Sequence, residues 1–303
     1  MLELTKLPKR FEESLGRDRM AELLGVKPAI LAMWLAKDNL PIEHLETLLK
    51  HDPSPLQEVQ PLYTNPPEGT KLAILMPYTH GPEPDTMESI LRLYDPKEMT
   101  FHRRGFNNLS VARNSLAAQW LAGPCEWAFW SDADMVHPCG NVPFFRRATG
   151  LPNYSEVFAG VHTIYRLLVH QKPFVSVWYP GRAVGGGLQF AGGNDPLLRN
   201  NFRNGPRDGT LERDWCGFGG VLLHRRVLET IIAEQGSEID VRDSYVHKTF
   251  GYRYAFFSPT NNETPGDDIP FCARAGRAGF KPLIDLAVFS GHTGTKTYTF
   301  QDL

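Results

Sequence analysis

Residues 126–138, EWAFWSDADMVHP, carry a run of large apolar side chains that stops abruptly at two aspartates. The segment WAFW (127–130) predicts a short strand that is buried on both faces. Successive residues of an extended chain point to opposite sides, so Asp132 and Asp134 point to the same side. Both carboxylates are therefore predicted to stand together on the rigid end of a buried strand.

Strands and helices alternate on both sides of this stretch. Apolar runs predict buried strands at KLAILMP (71–77), CEWAFWS (125–131) and PFVSVWY (173–179). Helical spacing predicts helices at 109–122, with Ser110 as the N-cap, and at 157–171. This alternation predicts an α/β fold with a mostly parallel sheet, whose ligands bind at the carboxyl ends of the strands. The sequence has neither GxGxxG after the first strand nor GxxxxGK[ST], which argues against the common dinucleotide and P-loop sites.

The composition is that of a folded protein able to bury a core. The chain has 303 residues, of which 42% are hydrophobic and 22% charged, and its formal net charge is −2. This small net charge excludes a polycationic nucleic-acid binder, so any basic surface has to be local. The four cysteines form no CxxC pair, and neither a zinc ribbon nor a disulfide framework is expected. We find no signal peptide and no apolar run that spans a bilayer, and we expect a cytoplasmic protein.

A change of composition divides the chain into three parts. Residues 52–70 are rich in proline and turn-forming residues and are predicted to be a linker. Residues 1–51 show helical spacing of apolar side chains in three short segments. Residues 71–303 carry the α/β pattern. We therefore predict a small helical module, a linker and a larger α/β domain.

The helical module resembles the helix-turn-helix of phage repressors and Cro-like proteins. Ala21, Gly25, Leu31 and Trp34 stand where that family keeps a small residue, the turn glycine and two core residues. The segment in place of the recognition helix, KPAILAMW, offers only Lys27 to a base edge, whereas base readout uses arginine, asparagine or glutamine. Acidic and basic residues also balance in this module. DNA contact and a role in docking or self-association both remain open.

The two aspartates of the DxD sequence repel each other unless a cation or hydrogen-bond donors neutralise them. A hard divalent ion, Mg²⁺ or Mn²⁺, takes oxygen ligands and shares them with substrate phosphates. The alternative is ordinary turn chemistry, because aspartate is common in loops and caps. The position of Asp132 and Asp134 at the end of a buried strand favours a metal site.

Residues from 71 to 298 resemble the GT-A glycosyltransferases, whose DxD motif binds a metal ion and the diphosphate of a nucleotide sugar. SDADM (131–135) matches that motif, and ARNSLA (112–117) resembles the family helix that faces the nucleotide. DWCGFGGVLLHRRVLE (214–229) resembles the acceptor-side segment, which is a loop followed by a strand and a short helix. Residues 266–292, which begin GDDIPF and end FSGH, resemble the family's acidic motif, its helix and a distal histidine. The resemblance implies a GT-A fold, that is, a Rossmann-like and mostly parallel sheet, preceded here by the small all-α module.

The resemblance also implies the donor and its contacts. The donor is a UDP-sugar, and the cofactor is Mn²⁺ or Mg²⁺. The metal centre involves Asp134 and His292 as ligands, with Asp132 at the ribose or at a metal-bound water. Nucleotide-sugar contacts are assigned to Pro77, Tyr78, Thr79, Arg113, Asn114, Asp132 and Asp134.

The catalytic carboxylate implied by the resemblance is Asp267 or Asp268, where the family more often has a Glu-Asp pair. It accepts the proton of the acceptor hydroxyl if the reaction inverts the anomeric configuration, and it only positions the acceptor if configuration is retained. The same pair also fits an N-cap for the following helix, with Pro270 just inside its first turn.

Acceptor contacts are expected from two regions. Trp215 and Gly217 belong to the acceptor-side segment, where Trp215 either stacks on a sugar or base or is part of the core. The segment 199–209 places Arg199, Arg203 and Arg207 among amide and aromatic side chains that suit phosphate and base contacts. Residues 180–195 are rich in glycine, which favours a lid. A basic rim is expected from four further arginines: Arg103, Arg104, Arg146 and Arg147.

A glycosyltransferase joined to a repressor-like module is similar to the phage enzymes that glycosylate modified bases in DNA. The acceptor so implied is the hydroxymethyl group of a modified pyrimidine in double-stranded DNA, in the cytoplasm of an infected bacterium. The alternatives are a cytosolic glycosyltransferase with a protein, glycan or small-molecule acceptor, and a non-catalytic DNA-binding protein. A nucleotidyltransferase loses support because the first strand is not followed by a glycine-rich segment with a lysine. Self-association through the N-terminal module is a further expectation.

Overall fold

The structure, a computed structural model, describes most of the predicted α/β domain and part of the helical module. The described residues are 12, 15–36, 44, 48, 71–139, 162–180, 209–258 and 266–293. The predicted linker (52–70), the glycine-rich segment after residue 180 and the arginine segment 199–208 lie outside them.

Two helices of the N-terminal module are described. Helix α1 spans Arg17–Leu24 and helix α2 spans Pro28–Ala36. Gly25 ends α1 in the left-handed conformation, at φ 65°, which a glycine adopts without a steric penalty. The predicted small residue Ala21 and the predicted core residue Leu31 are buried in one apolar cluster with Met20, Leu24, Leu35 and Leu48. The second predicted core residue, Trp34, is partly buried against this cluster. Most of the third predicted segment lies outside the described residues.

Residues 71–293 alternate between strands and helices. The strands are β1 (Leu72–Tyr78), β2 (Met99–Gly105), β3 (Trp127–Trp130), β4 (Met135–Val136), β5 (Phe174–Trp178), β6 (Thr210–Glu212), β7 (Val221–His224), β8 (Leu283–Phe289) and β9 (Gly291–His292). The helices are α3 (Pro84–Leu93), α4 (Leu109–Ala122), α5 (Thr163–Leu168), α6 (Arg226–Ile239), α7 (Tyr245–Phe250) and α8 (Asp268–Arg277).

Seven of the strands form one sheet in the order β2-β1-β3-β7-β5-β8-β6. Strand β1 runs parallel to β2 and β3, and β5 runs parallel to β8. Strand β7 is antiparallel to β3 and β5, and β6 is antiparallel to β8. Five strands therefore point one way and two the other, which confirms the predicted α/β class with a mostly parallel sheet.

The sheet is buried on both faces, because successive side chains of a strand point to opposite sides. Ala73 and Leu75 of β1 belong to the core cluster that contains residues of α4, α6 and α8. Leu72, Ile74 and Met76 belong to the cluster that contains residues of α3 and α5. No described helix combines the length and the apolar character needed to cross a bilayer.

The predicted elements agree with the structure except at their ends. Helix α4 covers the predicted residues 109–122, but its N-cap is Asn108 rather than Ser110. Asn108 has an extended backbone, and its Oδ1 accepts hydrogen bonds from the backbone N–H groups of Ser110 and Val111. Helix α6 has 14 residues, where the sequence predicted a short helix after β7.

A buried ion-pair cluster joins α5 to the middle of β8, away from the strand ends. Arg166 Nε donates to Asp285 Oδ2 at 2.6 Å, and His170 Nε2 lies 2.7 Å from the same oxygen. Burial alone raises the pKa of Asp285, but the bonds from His170 and Arg166 outweigh it and hold the pKa below its usual value. The cluster therefore stabilises the fold above the unfolded-state pKa of the carboxyl, and this contribution is lost as pH falls.

Replacing Asp285 with asparagine is expected to lower the free energy of unfolding by about 3–5 kcal/mol, because the change leaves Arg166 charged and buried without its partner. Urea unfolding followed by tryptophan fluorescence measures the loss. The control is Asp214→Asn, which removes an exposed pair with Lys281 and should leave the free energy of unfolding nearly unchanged. Equal losses in the two variants would show that the buried cluster contributes no more to stability than an exposed ion pair does.

Candidate active site at the carboxyl edge of the sheet

One cleft collects most of the residues that the sequence assigned to a nucleotide sugar. It lies where β1 and β3 end and has a volume of about 190 Å³. The described residues that line it are Pro77, Tyr78, Thr79, His80, Gly81, Glu83, Leu109, Asp132, Ala133, Asp134 and Thr293. Five of the seven assigned residues are among them, whereas Arg113 and Asn114 are not.

Asp134 and His292 come together through the short β4–β9 ladder, in which Met135 pairs with His292. Thr293 reinforces the ladder, since its N–H and its hydroxyl both donate to the Asp134 carbonyl oxygen, at 2.7 and 2.9 Å. As a result, His292 Nε2 lies 3.5 Å from Asp134 Oδ2. The ladder thus brings together two residues that are 158 positions apart in the sequence.

The imidazole of His292 is oriented as a metal-ligating histidine requires. Its Nδ1 lies 3.0 Å from the carbonyl oxygen of Pro180. A carbonyl only accepts hydrogen bonds, so Nδ1 carries a proton, and Nε2, the nitrogen that faces Asp134, is the atom that a metal ion would bind. Histidines that bind metal ions usually donate their other ring N–H to a backbone carbonyl or a carboxylate, which fixes the orientation of the ring.

The pair fits a divalent ion of the Mg²⁺ or Mn²⁺ type. One carboxylate oxygen and one imidazole nitrogen 3.5 Å apart are close to the spacing of about 3 Å between neighbouring ligands of a small ion. Among the described residues, no group of three His, Cys, Asp or Glu side chains is placed to hold an ion. The described part of the chain would therefore supply two ligands, Asp134 and His292, and leave positions for phosphate and water.

Asp132, the other aspartate of the motif, bonds to Arg113 instead. Arg113 is only 1% exposed, and its Nη2 donates to Asp132 Oδ1 at 2.7 Å. Its Nη1 lies 2.7 Å from Asp267 Oδ1 and also donates to Asp268 Oδ1. One guanidinium thus joins the DxD motif to both candidate catalytic carboxylates.

The Arg113 guanidinium is also held by two aromatic rings. Its Cζ lies 5.3 Å from the ring centroid of Phe218 and 5.8 Å from that of Phe257. Burial opposes its charge, but Asp132, Asp268 and Asp267 together raise the pKa of Arg113 well above its usual value. Because it is buried, Arg113 serves as a bridge between carboxylates and is not part of the cleft wall.

Three carboxylates around one guanidinium leave a surplus of negative charge. Burial raises the pKa of Asp268 to about 7; Arg113 opposes this shift, while Asp267 and Asp132 add to it. Burial also raises the pKa of Asp267, with Arg113 again acting in the opposite direction. A carboxyl group with a pKa near 7 both takes up and releases a proton at neutral pH.

Asp267 and Asp268 stand at the start of α8, as the sequence indicated, with Pro270 in the first turn. Asp267 occupies the N-cap position, yet its side chain forms no capping bond and turns to Arg113. Asp268 Oδ2 accepts the N–H of Phe218 at 3.3 Å, which fixes this carboxylate against the acceptor-side segment. Asp268 is also the more exposed of the two, at 28% against 11% for Asp267.

Asn114, assigned to the nucleotide by resemblance, is fully buried. Its Oδ1 accepts the backbone N–H of Phe257 at 3.0 Å, and its Nδ2 donates to Ser258 Oγ at 3.2 Å. In the structure it therefore ties α4 to the segment 257–258. Of the two other acceptor-side residues, Trp215 is partly buried against the core and Gly217 is buried.

Tyr179 is a central residue that sequence reasoning missed. Its hydroxyl oxygen accepts the N–H of Gly219 at 2.9 Å, and its ring meets that of His292 edge-on at 5.7 Å. A Cβ on residue 219 would lie 2.5 Å from Tyr179 Cζ, so only glycine leaves room for the ring. Gly219 and Gly220 of GFGG are therefore packing glycines, a role that the motif alone did not reveal.

His137 is a second residue that the sequence did not single out. It bonds Ser131 Oγ through Nε2 at 2.9 Å and Ser290 Oγ through Nδ1 at 2.8 Å. Burial lowers the pKa of His137 to about 3, so the ring is neutral. It links the residue just after β3 to the residue just after β8, and the chain continues from these points into the DxD motif and into β9 with His292. The segments VHP (136–138) and FSGH (289–292), which contain His137 and Ser290, show no sequence pattern that predicts this pair.

The remaining assignments fall outside the described residues. Arg199, Arg203 and Arg207 of the acceptor region do so, as do Arg146 and Arg147 of the basic rim. Arg103 and Arg104 are described, and both are exposed on β2, an edge strand of the sheet.

No protein-family model and no curated protein sequence matches the chain. Among solved structures, the chain is similar to A197 from STIV, at 10% identity and a TM-score of 0.42, over 74% of this chain and 86% of that one. It is also similar to GalNAc-T7, solved with UDP, GalNAc and Mn²⁺, at 10% identity and a TM-score of 0.39. That match covers 75% of this chain but only 44% of GalNAc-T7. Similarity at this level carries no functional conclusion, so function has to be inferred from the site.

Proposed function

We propose that residues 71–303 form a GT-A glycosyltransferase that transfers a sugar from a UDP-sugar with the help of Mn²⁺ or Mg²⁺. The observation that carries the proposal is the pair formed by Asp134 and His292 on the wall of a cleft that Tyr78 and Thr79 also line. The cleft lies at the carboxyl edge of a mostly parallel sheet, where such folds bind their ligands.

The charges of the cleft support a metal-dependent donor. Among its described lining residues are Asp132, Asp134 and Glu83, and none of the described ones is lysine or arginine. A diphosphate would be repelled by this wall without a cation. A divalent ion held by Asp134 and His292 would offset the charge that develops on the leaving diphosphate.

The acid pair at the start of α8 supports activation of an acceptor hydroxyl. We assign the general base to Asp268, which is more exposed than Asp267 and is oriented by the N–H of Phe218. If the transfer inverts configuration, Asp268 accepts the proton of the attacking hydroxyl. If it retains configuration, the same carboxylate orients the acceptor.

The rate of transfer is expected to rise with pH until Asp268 is ionised. Its pKa is raised to about 7, so kcat/KM should fall about tenfold per pH unit below that value and level off above it. A pH profile between about pH 5 and 9 measures the midpoint. A profile that stays flat across pH 7 would remove Asp268 from the role of base.

For the acceptor, we propose the hydroxymethyl group of a modified pyrimidine in phage DNA. The support is the combination of a repressor-like module with a glycosyltransferase-like domain, which is similar to the phage enzymes that glycosylate modified bases, together with a carboxylate placed to accept a hydroxyl proton. A base in a duplex has to leave the stack to reach such a site, at a cost of about a few kcal/mol.

Nucleoside mass spectrometry tests donor and acceptor together. DNA containing 5-hydroxymethylcytosine or 5-hydroxymethyluracil is incubated with the full chain, Mn²⁺ and a panel of UDP-sugars, with unmodified DNA as control. We expect a hexose or N-acetylhexosamine mass on modified DNA only. UDP release without a DNA adduct would keep the transferase and refute the DNA acceptor.

A protein, glycan or small-molecule acceptor is the second candidate, and the N-terminal module favours it. The face of α2 that would meet DNA exposes Ile30 and Met33, which offer no hydrogen bonds to base edges. An apolar helix face fits a protein contact or self-association of the module. In that case the panel of UDP-sugars would be consumed with such an acceptor and not with DNA.

A further inference from the structure

A group of basic and aromatic side chains stands beside the cleft and has no part in the proposed chemistry. It consists of Arg104, Phe106, Tyr245, Lys248 and Phe250, which we call the basic–aromatic patch. Arg104 and Phe106 lie at the end of β2 and just after it, and the other three belong to α7. Arg104 is one of the four arginines that the sequence predicts to form a basic rim.

Direct contacts join the two halves of the patch. The guanidinium carbon of Arg104 lies 5.3 Å from the ring centroid of Phe106. The ring of Phe106 meets that of Phe250 edge-on, with centroids 5.3 Å apart. The end of β2 and α7 therefore form one continuous surface.

The patch adjoins the cleft through the backbone. Phe106 donates its N–H to the carbonyl oxygen of Tyr78, at 3.1 Å, and Tyr78 lines the cleft. Tyr78 also packs closely on Gly105, where a Cβ would lie 2.3 Å from its ring. A molecule lying on the patch would thus reach the edge of the cleft.

The described residues do not compensate the positive charge of the patch. Within the described part of the chain, neither Arg104 nor Lys248 forms an ion pair, and both are exposed. The acids of the turn before α7 are Asp240 and Asp243, and Asp240 is bonded by both Arg242 and Arg253, so that turn is neutral. In a chain of net charge −2, two unpaired cations on one surface are a local excess.

Tyr245 adds an aromatic ring that is largely exposed to solvent. It is 76% exposed, although it lies in a helix that packs against the domain through Phe250. Exposed aromatic rings between cations are the arrangement that binds single-stranded nucleic acid, because phosphates pair with the cations while bases stack on the rings. An acidic peptide would pair with the cations, but it carries no regular series of flat groups that stack on aromatic rings.

We infer that the basic–aromatic patch binds a DNA strand and guides it to the cleft. Arg104 and Lys248 contact backbone phosphates, and Tyr245 stacks on a base. The identification of this strand as the acceptor rests on the proposed function. DNA binding itself needs no donor sugar and no catalysis.

The test is fluorescence anisotropy of a labelled single strand of about 15 nucleotides with the full chain, between about 50 and 200 mM NaCl. The double variant Arg104→Ala/Lys248→Ala should weaken binding about tenfold or more at low salt and reduce the slope of log K against log salt by about 1.4, since two phosphate contacts are lost. Tyr245→Ala should weaken binding about tenfold with the slope unchanged, because stacking releases no counterions.

The matched control is Lys172→Ala/Arg226→Ala, which removes two exposed cations at the other end of the strands, just before β5 and just after β7. It should bind DNA like the unmodified chain. An equal loss in both double variants would reduce the effect to net charge and overturn the inference. Displacement of the strand by polyglutamate as readily as by unlabelled DNA would overturn it in favour of an acidic protein partner.

The outcomes separate this inference from the proposed function. Sugar transfer to a free hydroxymethyl nucleoside without DNA binding would refute the patch and keep the transferase. DNA binding that depends on the patch, without transfer to any acceptor, would keep the patch and refute the transferase.

Discussion

Replacing Asp134 with alanine is expected to lower kcat/KM for sugar transfer by about 10³-fold and to weaken Mn²⁺ binding, while the fold persists. Asp134 contributes its carboxylate to the cleft, but its backbone carbonyl, which accepts both bonds from Thr293, is unchanged by the substitution. The β4–β9 ladder should therefore survive. The measurements are steady-state kinetics and electron paramagnetic resonance of free Mn²⁺ in titrations with the protein.

Two further variants sharpen this result. His292→Ala should reduce Mn²⁺ affinity in the same way, because the two side chains face each other at 3.5 Å. Glu126→Ala removes an exposed carboxylate just before β3, at the end of this strand that lies away from the cleft, and should leave Mn²⁺ binding unchanged. If Asp134→Ala binds Mn²⁺ as tightly as Glu126→Ala does, the assignment of the metal site is wrong.

Elements that bury continuous apolar runs could be predicted from the sequence. Strands β1, β3 and β5 and helix α4 were found within one or two residues, because their patterns are local. The position of Asp132 and Asp134 at a strand end followed from the same reasoning. Strand β2, MTFHRRG, has no such pattern, because an edge strand exposes its charged residues.

Contacts within the site could not be predicted in the same way. Arg113 meets Asp268 across 155 positions, and His137 meets Ser290 across 153. No short-range spacing encodes such pairs, and composition does not show that Arg113 is shared by three carboxylates. The ring of Tyr179 fits its position because Gly219 has no side chain. Nothing in the sequence distinguishes this glycine from its neighbours in GFGG.

The site separates two kinds of negative charge. Asp134 faces the imidazole of His292, and we assign the metal ion to this pair, whereas Asp132, Asp267 and Asp268 share the guanidinium of Arg113. Asp132 is the only one of these four that both lines the cleft and contacts Arg113. A change at Arg113 therefore acts on the donor side and on the acceptor side at once.

Replacing Arg113 with lysine is expected to lower kcat/KM by about 10²–10³-fold and to shift the midpoint of the pH profile upward. A lysine keeps the charge, but its compact ammonium cannot reach Asp132, Asp267 and Asp268 together, nor can it reproduce the planar packing between Phe218 and Phe257. The carboxylates then lose part of their neutralising partner, so the pKa of Asp268 rises further and more alkaline solution is needed to ionise it.

The shift of the midpoint distinguishes electrostatic positioning by Arg113 from a purely structural role. The matched control is Arg225→Lys, which removes another multidentate arginine, bonded to the carbonyls of Gly123 and Leu121 and to Glu229, far from the cleft. It should cost stability and leave the pH midpoint in place. If Arg113→Lys lowers activity with the midpoint also in place, Arg113 only supports the fold, and the charge of the acid pair is set by burial alone.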